Sequence, residues 1–379
     1  MLKPCDNRFS SGPTRKIKNW SVQLFDERLL GRSHRENVSL AQIDSLVSSM
    51  RHVLGIPNEY EIAIINGGAT GATEFLLWNL IGIRPVDVFS YGIFGNHWLH
   101  DVKDELKIKD INNYTASIGL LPDFSCYESN NDCVFVWSET PSGTTVPNVE
   151  WIPDDRDGVV ICDVTSAVFC EDISWKKLDA ASFAWQKGIG GEAGLGTIVL
   201  SPRAINRLET YTPRWPIPRL YRIPCSIRNG MKILDEKFFH GYTINTISLL
   251  VVYDMISCLN WAESIGGLQE LIRRKEHNYD IIKKWASAVS WINFLVENEK
   301  IRSKNTVCLT VMDAATGCCV DWTFLKKMTA FLEENDIAYG LLNHPHSRPS
   351  LRIWTGPVID GLDLERLLPW IERAYFSIY

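Results

Sequence analysis

The chain has 379 residues, which is enough for two domains or for one large α/β domain with a smaller partner. Apolar residues make up 45% and charged residues 22%, and this balance excludes a mainly disordered chain. The net charge of -6 argues against a general nucleic-acid binder, because counterion release needs clustered Lys and Arg.

The first two thirds of the chain alternate short β-rich runs with helical stretches. Strands are predicted at 61–65, 86–90, 132–137, 158–162, 181–185 and 196–200, and helices at 72–81 and 98–107. Several of the strands are nearly continuous apolar runs, which is typical of a parallel sheet covered by helices on both faces. The pattern therefore predicts an α/β fold with a mostly parallel sheet sandwiched by helices.

The sequence changes character after about residue 255. Helices are predicted at 261–285, 322–334 and 362–376, and strands at 306–311 and 350–354. This alternation is typical of a smaller α+β C-terminal domain. We predict a large domain over 1–255, with the N-terminal arm included, and a small domain over 256–379.

The cysteines and the apolar runs bear on location. Most of the ten cysteines lie in apolar stretches, none forms a C-x-x-C pair, and the first ten residues carry no apolar signal segment. We expect reduced, buried thiols in a cytoplasmic protein. The longest apolar run, 247–256, is too short to span a bilayer, so no membrane partner is expected.

Polar side chains follow two neighbouring strands of the predicted sheet. Asp163 comes directly after Val-Val-Ile-Cys, and Gln186 and Lys187 come after Ser-Phe-Ala-Trp, before a glycine-rich turn. A lysine at a strand end is usually only a surface amine. Here an amine and a carboxylate end adjacent strands at one sheet edge, where open α/β sheets bind ligands. This pairing suits pyridoxal phosphate, because the amine can form a Schiff base and the carboxylate can pair with the pyridinium nitrogen.

A cofactor phosphate needs a site of its own, and the segment 67–70 offers one. Gly-Gly-Ala-Thr before a helix provides free backbone N–H groups, the positive end of a helix dipole and the Thr70 hydroxyl. Alone, this loop is weak evidence, because it lacks the P-loop and dinucleotide motifs. No metal site is predicted.

At this point the chain resembles a known family, the phosphoserine aminotransferases, within the class V, fold type I pyridoxal-phosphate aminotransferases. The resemblance runs nearly from end to end, and it is carried by residues 9–13, 31–35, 67–69, 138–143, 163–169, 185–191, 243–246 and 350–354. It implies transfer of an amino group from glutamate to 3-phosphohydroxypyruvate in serine biosynthesis. Some members also act on a related phosphorylated intermediate of vitamin B6 (pyridoxine) synthesis.

The resemblance implies roles for the residues that match the cofactor site. Lys187 is the Schiff-base lysine and later the proton shuttle, and Asp163 binds the pyridinium nitrogen. Gly68, Ala69 and Gln186 help to hold the cofactor phosphate, to which the loop argument above adds Thr70. Trp98 stacks on the cofactor ring, and Thr140 hydrogen-bonds the ring hydroxyl. On pattern alone, Trp98 would be a packing residue and Thr140 would only shape the turn at Pro141.

Other matches imply a homodimer with shared active sites and a substrate site. Asn245 and Thr246 reach the phosphate from the second subunit, although on pattern alone they are an N-cap. Arg352 binds the substrate α-carboxylate, although on pattern alone it would only lie on a solvated face of its strand. His34 and Arg35, otherwise an exposed loop pair, bind the substrate phosphate in the neighbouring site.

Two departures from the family pattern concern the substrate phosphate. Many members carry an arginine where this chain has Thr70, and many carry Gly-His-Arg where this chain reads Asn343-His-Pro-His-Ser-Arg348. His344, His346 and Arg348 are candidates to supply the missing charge, since a phosphate dianion needs two or more charge-assisted partners.

Two alternatives stay open. The first is another class V enzyme with a non-phosphorylated substrate, either an alanine–glyoxylate-type aminotransferase or a cysteine desulfurase. A desulfurase needs a nucleophilic cysteine on a mobile loop, and Cys318 and Cys319 form the only suggestive pair. The second is a non-enzymatic role with a decayed cofactor site, against which Lys187, Asp163 and Thr140 argue.

Overall fold

The computed structural model of the chain describes residues 1–378. Its helices are α1 Asn37–Leu54, α2 Gly68–Leu80, α3 Gly92–His100, α4 Pro202–Thr210, α5 Leu249–Ile265, α6 Gly267–Ala288, α7 Trp322–Glu334 and α8 Gly361–Phe376. Its strands are β1 Glu61–Asn66, β2 Val86–Tyr91, β3 Ile111–Ala116, β4 Asp132–Val136, β5 Ser138–Glu139, β6 Thr144–Thr145, β7 Val160–Asp163, β8 Ala180–Ala184, β9 Leu195–Leu200, β10 Cys225–Arg228, β11 Met231–Leu234, β12 Ile292–Phe294, β13 Thr306–Val311 and β14 Leu351–Trp354.

A seven-stranded sheet in the order β1-β9-β8-β7-β4-β2-β3 forms the centre of the molecule. The five strands from β8 to β3 are parallel, whereas β9 runs antiparallel to both of its neighbours. This confirms the predicted α/β class with a mostly parallel sheet. Because the strands β7 and β8 are parallel neighbours, their carboxyl ends meet at one edge.

Two apolar layers cover the sheet. Side chains of β1 alternate, with Ile62 and Ile64 in the core shared with α1 and α5, and Ala63 and Ile65 in the core shared with α2. Helices therefore lie on both faces, which explains why the strands read as continuous apolar runs.

A second, antiparallel sheet β12-β13-β14 packs with α6, α7 and α8 around its own core. Phe9 of the N-terminal arm lies in this core, and the arm is also held by the buried ion pair of Arg15 and Asp363 at 2.7 Å. The predicted boundary between 1–255 and 256–379 falls inside α5, and it stays a prediction.

One predicted helix is interrupted. The segment 261–285 is helical as predicted except at Gly266, because α5 ends at Ile265 and α6 begins at Gly267. Gly266 and Gly267 have φ of +118° and +71°, a backbone region that glycine adopts far more readily than other residues. The chain therefore turns between two helices where the apolar spacing suggested one.

The expectation of buried thiols was wrong for half of the cysteines. All ten are free, but Cys5, Cys126, Cys225, Cys318 and Cys319 are exposed. Within residues 1–378, no helix is long and apolar enough to cross a membrane.

Candidate active site

Asp163 is the last residue of β7, which lies in the middle of the central sheet. Its backbone pairs with Val136 on one side and Ser182 on the other, and its side chain is buried. The Thr165 N–H donates to its Oδ1 at 3.0 Å. Burial raises the pKa of Asp163, while the Thr165 hydrogen bonds and the charge of Lys187 oppose that rise.

Lys187 follows β8 by three residues and is also buried. Its Nζ donates to the hydroxyl of Thr140 at 2.9 Å and to that of Ser166 at 2.8 Å, and the two hydroxyls are 2.6 Å apart. Burial lowers the pKa of Lys187 to about 8, against the opposing effect of the Asp163 and Glu139 carboxyls. An amine of this kind is partly neutral near physiological pH, as a nucleophile or base must be.

The loop before α2 differs in part from the expectation. The amides of Gly67 and Gly68 are not free, since both donate to the Gly194 carbonyl at 3.1 Å. Within the described chain, the amides of Ala69 and Thr70 at the start of α2 have no backbone partner. Two unpaired N–H groups at the positive end of a 13-residue helix suit an anionic ligand.

These elements enclose one cavity of about 290 Å³. Seven of the predicted cofactor residues line it: Gly68, Ala69, Thr70, Trp98, Asp163, Gln186 and Lys187. Gln186 Oε1 is buried in its wall without a hydrogen-bond partner within residues 1–378. Such an atom is costly unless a bound polar group pairs with it, so the cavity suits a polar ligand.

Thr140, the eighth cofactor residue, does not line this cavity but lies directly behind it. It follows β5, and its hydroxyl accepts from Lys187. In the structure it therefore holds the amine of Lys187 rather than only shaping the turn at Pro141.

Asn245 and Thr246 lie outside the cavity. Asn66 donates through Nδ2 to the Asn245 Oδ1, and Asn66 directly precedes the glycine loop. Thr246 is exposed. The pair therefore adjoins the anion loop of its own chain and also faces outward.

His34 and Arg35 lie beside that same surface. Arg35 donates to the Thr243 carbonyl at 3.2 Å and is otherwise exposed, while His34 is buried and its Nε2 has no partner within residues 1–378. Burial lowers the pKa of His34, and the Arg35 charge adds to that effect. The two predicted pairs are thus neighbours, although the cavity itself contains neither.

Arg352 projects from β14, where it pairs with Cys308 of β13. Its Nε is buried without a hydrogen-bond partner in the described part of the chain, and its charge lowers the pKa of Lys187. Arg352 does not line the cavity, but a guanidinium with an unpartnered Nε within residues 1–378 that acts electrostatically on Lys187 is suited to a substrate carboxylate.

The segment with His344 and His346 packs against the turn after Thr140. Asn343 donates to the Pro141 carbonyl at 2.8 Å, and the two imidazole rings are 5.4 Å apart. His346 and His97 line a second cavity of about 290 Å³ that adjoins this turn. Arg348 is exposed and does not line either cavity.

Sequence reasoning missed two polar residues of the site. The Ser166 hydroxyl accepts from Lys187 Nζ and shares a hydrogen bond with the Thr140 hydroxyl, and Glu139 is a fully buried carboxyl beside them. Both lie inside segments that carried the family resemblance, and Glu139 directly precedes Thr140. Their sequence positions were the available signal, but neither residue type indicates burial.

The cysteine pair does not belong to the site. Cys318 and Cys319 are exposed, and the Cys319 Sγ lies 3.7 Å from Met312 Sδ. Neither lines the cavity around Lys187.

Two known proteins are similar in sequence to nearly the whole chain. The chain is 41% identical over 372 residues to the phosphoserine aminotransferase of Methanosarcina barkeri, covering 98% of this chain and 96% of that protein. The same figures hold for the phosphoserine aminotransferase of Methanosarcina mazei. No protein-family model matches the chain.

Solved structures agree in fold. A phosphoserine aminotransferase from Cytophaga hutchinsonii has a TM-score of 0.77 at 19% identity, over 96% of this chain and 98% of that one. A pyridoxal-phosphate-bound phosphoserine aminotransferase from Trichomonas vaginalis has a TM-score of 0.73 at 15% identity, over 97% and 99%. An alanine–glyoxylate aminotransferase from Nostoc sp. reaches 0.75 at 17% identity, over 99% and 97%. At these identities the likeness establishes the fold type I architecture and does not distinguish among substrates.

Proposed function

The chain belongs to the phosphoserine aminotransferase family, and from this premise we propose that it is a pyridoxal-phosphate-dependent transaminase of serine biosynthesis. It transfers an amino group from glutamate to 3-phosphohydroxypyruvate and yields phosphoserine and 2-oxoglutarate. The observation that carries this proposal is the burial of Lys187 and Asp163 in the walls of one cavity, at the ends of neighbouring parallel strands.

The residues of the cavity fit pyridoxal phosphate. Asp163 can pair with a ring nitrogen, Trp98 can cover a ring face, and the amides of Ala69 and Thr70 can hold a phosphate. Gln186 Oε1, which has no hydrogen-bond partner within residues 1–378, lies in the same wall and can pair with a polar ligand. When bound, the cofactor supplies an electron-withdrawing ring that stabilises negative charge at the substrate carbon.

Each residue then has a defined task. Lys187 would hold the cofactor through its Nζ, and the same Nζ would take the proton from the substrate Cα. Thr140 and Ser166 orient that Nζ through their hydroxyls. Asp163 keeps the ring nitrogen protonated, and Arg352 binds the substrate α-carboxylate with its unpaired guanidinium.

The substrate phosphate is assigned to His34 and Arg35 of the neighbouring subunit, and the cofactor phosphate also to Asn245 and Thr246 of that subunit. Both pairs lie together at one surface with Arg35 and Thr246 exposed, which supports a homodimer with shared sites. The ten free cysteines support a cytoplasmic location. A second role in pyridoxine biosynthesis is part of the same proposal, since that intermediate is also phosphorylated.

A second candidate keeps the chemistry and changes the substrate. Amino transfer to a non-phosphorylated keto acid, as in alanine–glyoxylate-type enzymes, is favoured by Thr70, because no arginine within residues 1–378 lines the cavity beside the glycine loop. The cysteine desulfurase alternative is not supported, since Cys318 and Cys319 lie away from the cavity.

A side-by-side assay separates the two substrates. The protein loaded with pyridoxal phosphate and pre-reacted with glutamate is offered phosphohydroxypyruvate, pyruvate and glyoxylate in single turnovers. Two charge-assisted contacts to phosphate should favour phosphohydroxypyruvate by about 100-fold in rate at low substrate concentration. Equal rates with pyruvate or glyoxylate would contradict the phosphorylated substrate.

Arg35 allows a matched control in the same assay. Replacement Arg35→Ala should raise the KM for phosphohydroxypyruvate and change that for glutamate little, because only one half-reaction uses the phosphate contact. Arg32→Ala, three residues earlier, removes an exposed arginine paired with Glu36 and should change neither value. Equal losses in both half-reactions of Arg35→Ala would reject the assignment.

A further inference from the structure

Glu139 is a buried carboxyl beside the active site that the proposed mechanism does not use. It ends β5, directly before Thr140, and its side chain is fully shielded from solvent. Buried glutamates are rare unless their oxygens are paired, so each oxygen needs an account.

One oxygen of Glu139 is paired with a helix. Its Oε1 accepts from the backbone N–H of Ile93 at 2.9 Å and from that of Phe94 at 3.3 Å, which are the first amides of α3 after Gly92. These amides have no intrahelical partner, so the carboxyl caps the helix from a strand that is distant in sequence.

The contact is too close for any side chain at the helix start. Gly92 has φ of +82°, and a Cβ there would lie 2.2 Å from the Cγ of Glu139. The glycine therefore permits the approach of the carboxyl to the helix, and the two residues fit as a pair.

Both partners of this contact carry residues of the cofactor site. Helix α3 holds Trp98 in the cavity wall and Phe94, whose ring centroid is 5.6 Å from Lys187 Nζ. The strand that ends in Glu139 continues into Thr140, which binds the same Nζ. One carboxyl therefore joins the element that bears the ring wall to the element that bears the amine.

We propose that Glu139 is a positioning residue that fixes α3, and with it Trp98, relative to Thr140 and Lys187, so that the cavity holds the cofactor ring in one orientation. This inference rests on the proposed cofactor and adds a residue to it. Glu139 acts through Trp98 and Thr140 and touches no reacting atom.

The state of the carboxyl suits this role. Burial raises the pKa of Glu139 to about 8. Only its Oε1 accepts the helix amides, and its Oε2 has no hydrogen-bond partner within residues 1–378. The side-chain oxygen of a glutamine can accept the same two amides. The replacement Glu139→Gln should therefore keep the cap, whereas Glu139→Ala removes it.

The test measures cofactor binding and orientation without turnover. Apo-protein is titrated with pyridoxal phosphate, and the visible circular dichroism of the bound cofactor is recorded for each variant at pH 7. We expect Glu139→Ala to bind the cofactor at least about tenfold more weakly and to lose most of the dichroic band. Glu139→Gln should stay within about threefold of the unmodified protein and keep the band.

Asp321→Ala is the matched control, because Asp321 caps α7 through the Phe324 amide at 2.9 Å, away from the cavity. It should keep both cofactor affinity and dichroism. In Gly92→Ala the added methyl group displaces the Glu139 carboxyl from the start of α3. This variant should lose cofactor affinity and the dichroic band as Glu139→Ala does, so the test remains decisive if one of the two variants fails to fold.

The results distinguish this inference from the proposed function. If the unmodified protein binds no pyridoxal phosphate, the proposed function fails. If the unmodified protein binds it and folded Glu139→Ala keeps its affinity and dichroic band, the positioning role is overturned. An equal loss in Glu139→Gln and Glu139→Ala would also overturn it, because the retained acceptor oxygen would then not matter.

Discussion

At the scale of single residues, the site depends on a buried amine that is held by polar side chains. Lys187 donates to two hydroxyls, and its ammonium form loses hydration without a direct ion pair among the described residues. Desolvation outweighs the attraction of Asp163 and Glu139, so the pKa of Lys187 falls to about 8. The protein thereby prepares the amine to react before any ligand binds.

This environment predicts the pH dependence of cofactor capture. The neutral amine is the nucleophile, so the rate at which apo-protein bonds to pyridoxal phosphate should rise with pH and level off above a midpoint near 8. Stopped-flow absorbance checks this, with Lys187→Ala as the blank. A rate that climbs steadily to pH 10, as an ordinary lysine would give, contradicts the desolvated amine.

Residue types also explain what the sequence could not reveal. Asp163, Gln186 and Lys187 were found because they follow apolar runs, and the structure brings them together. Glu139 and Ser166 were missed, because a glutamate or serine in a turn-rich segment is ordinarily exposed. Their burial comes from contacts with α3 and Lys187, which are distant in sequence.

At the scale of elements, apolar runs were sufficient for the central strands. Five of the predicted strands between 61 and 200 lie within one residue of their observed ends at both termini, because both faces of those strands are buried. The edge strand β3 was missed, since its sequence, Ile-Asn-Asn-Tyr-Thr-Ala, is polar and pairs only with β2. Turn glycines at 266 and 267 broke the helix that apolar spacing predicted.

The start of α2 has no room for added bulk at Gly71. A Cβ on Gly71 would lie 2.1 Å from the Asn66 carbonyl oxygen, so α2 and the glycine loop pack on β1 without room for a methyl group. Gly71→Ala should destabilise the fold by about 1–3 kcal/mol and weaken cofactor binding, because the loop must shift. Urea unfolding and cofactor titration measure both effects.

The control for this prediction is Ser48→Ala, an exposed change on α1 that should leave both quantities unchanged. If Gly71→Ala matches that control in unfolding free energy and in cofactor affinity, the close packing of α2 on β1 does not constrain the loop.

At the scale of the whole molecule, the proposed function requires two chains. Arg35 and Thr246 are exposed beside the buried His34 and the half-buried Asn245, and the proposal assigns all four to a neighbouring site. Subunits with Lys187→Ala and subunits with Arg35→Ala should therefore complement each other when mixed and re-associated. A mixed dimer has one of its two sites with both residues intact, and about half of the dimers in an equal mixture are mixed. About a quarter of the native activity should therefore return at low phosphohydroxypyruvate.

The complementation assay has a clear negative outcome. If Arg35 served the site of its own chain, neither site of a mixed dimer would be intact, and mixing would restore nothing. A protein that is monomeric at working concentration would equally refute the shared site. Mixing two batches of Lys187→Ala subunits controls for the re-association step.

The central claim is that Lys187 is the residue that bonds to the cofactor. Protein saturated with pyridoxal phosphate is reduced with borohydride, digested and mapped by mass spectrometry, which locates the trapped lysine. Lys275, the other buried lysine, provides an internal comparison. The pyridoxyl mass is expected on the peptide that contains Lys187 and on no other, and a label on another lysine, or none at all, would contradict this assignment.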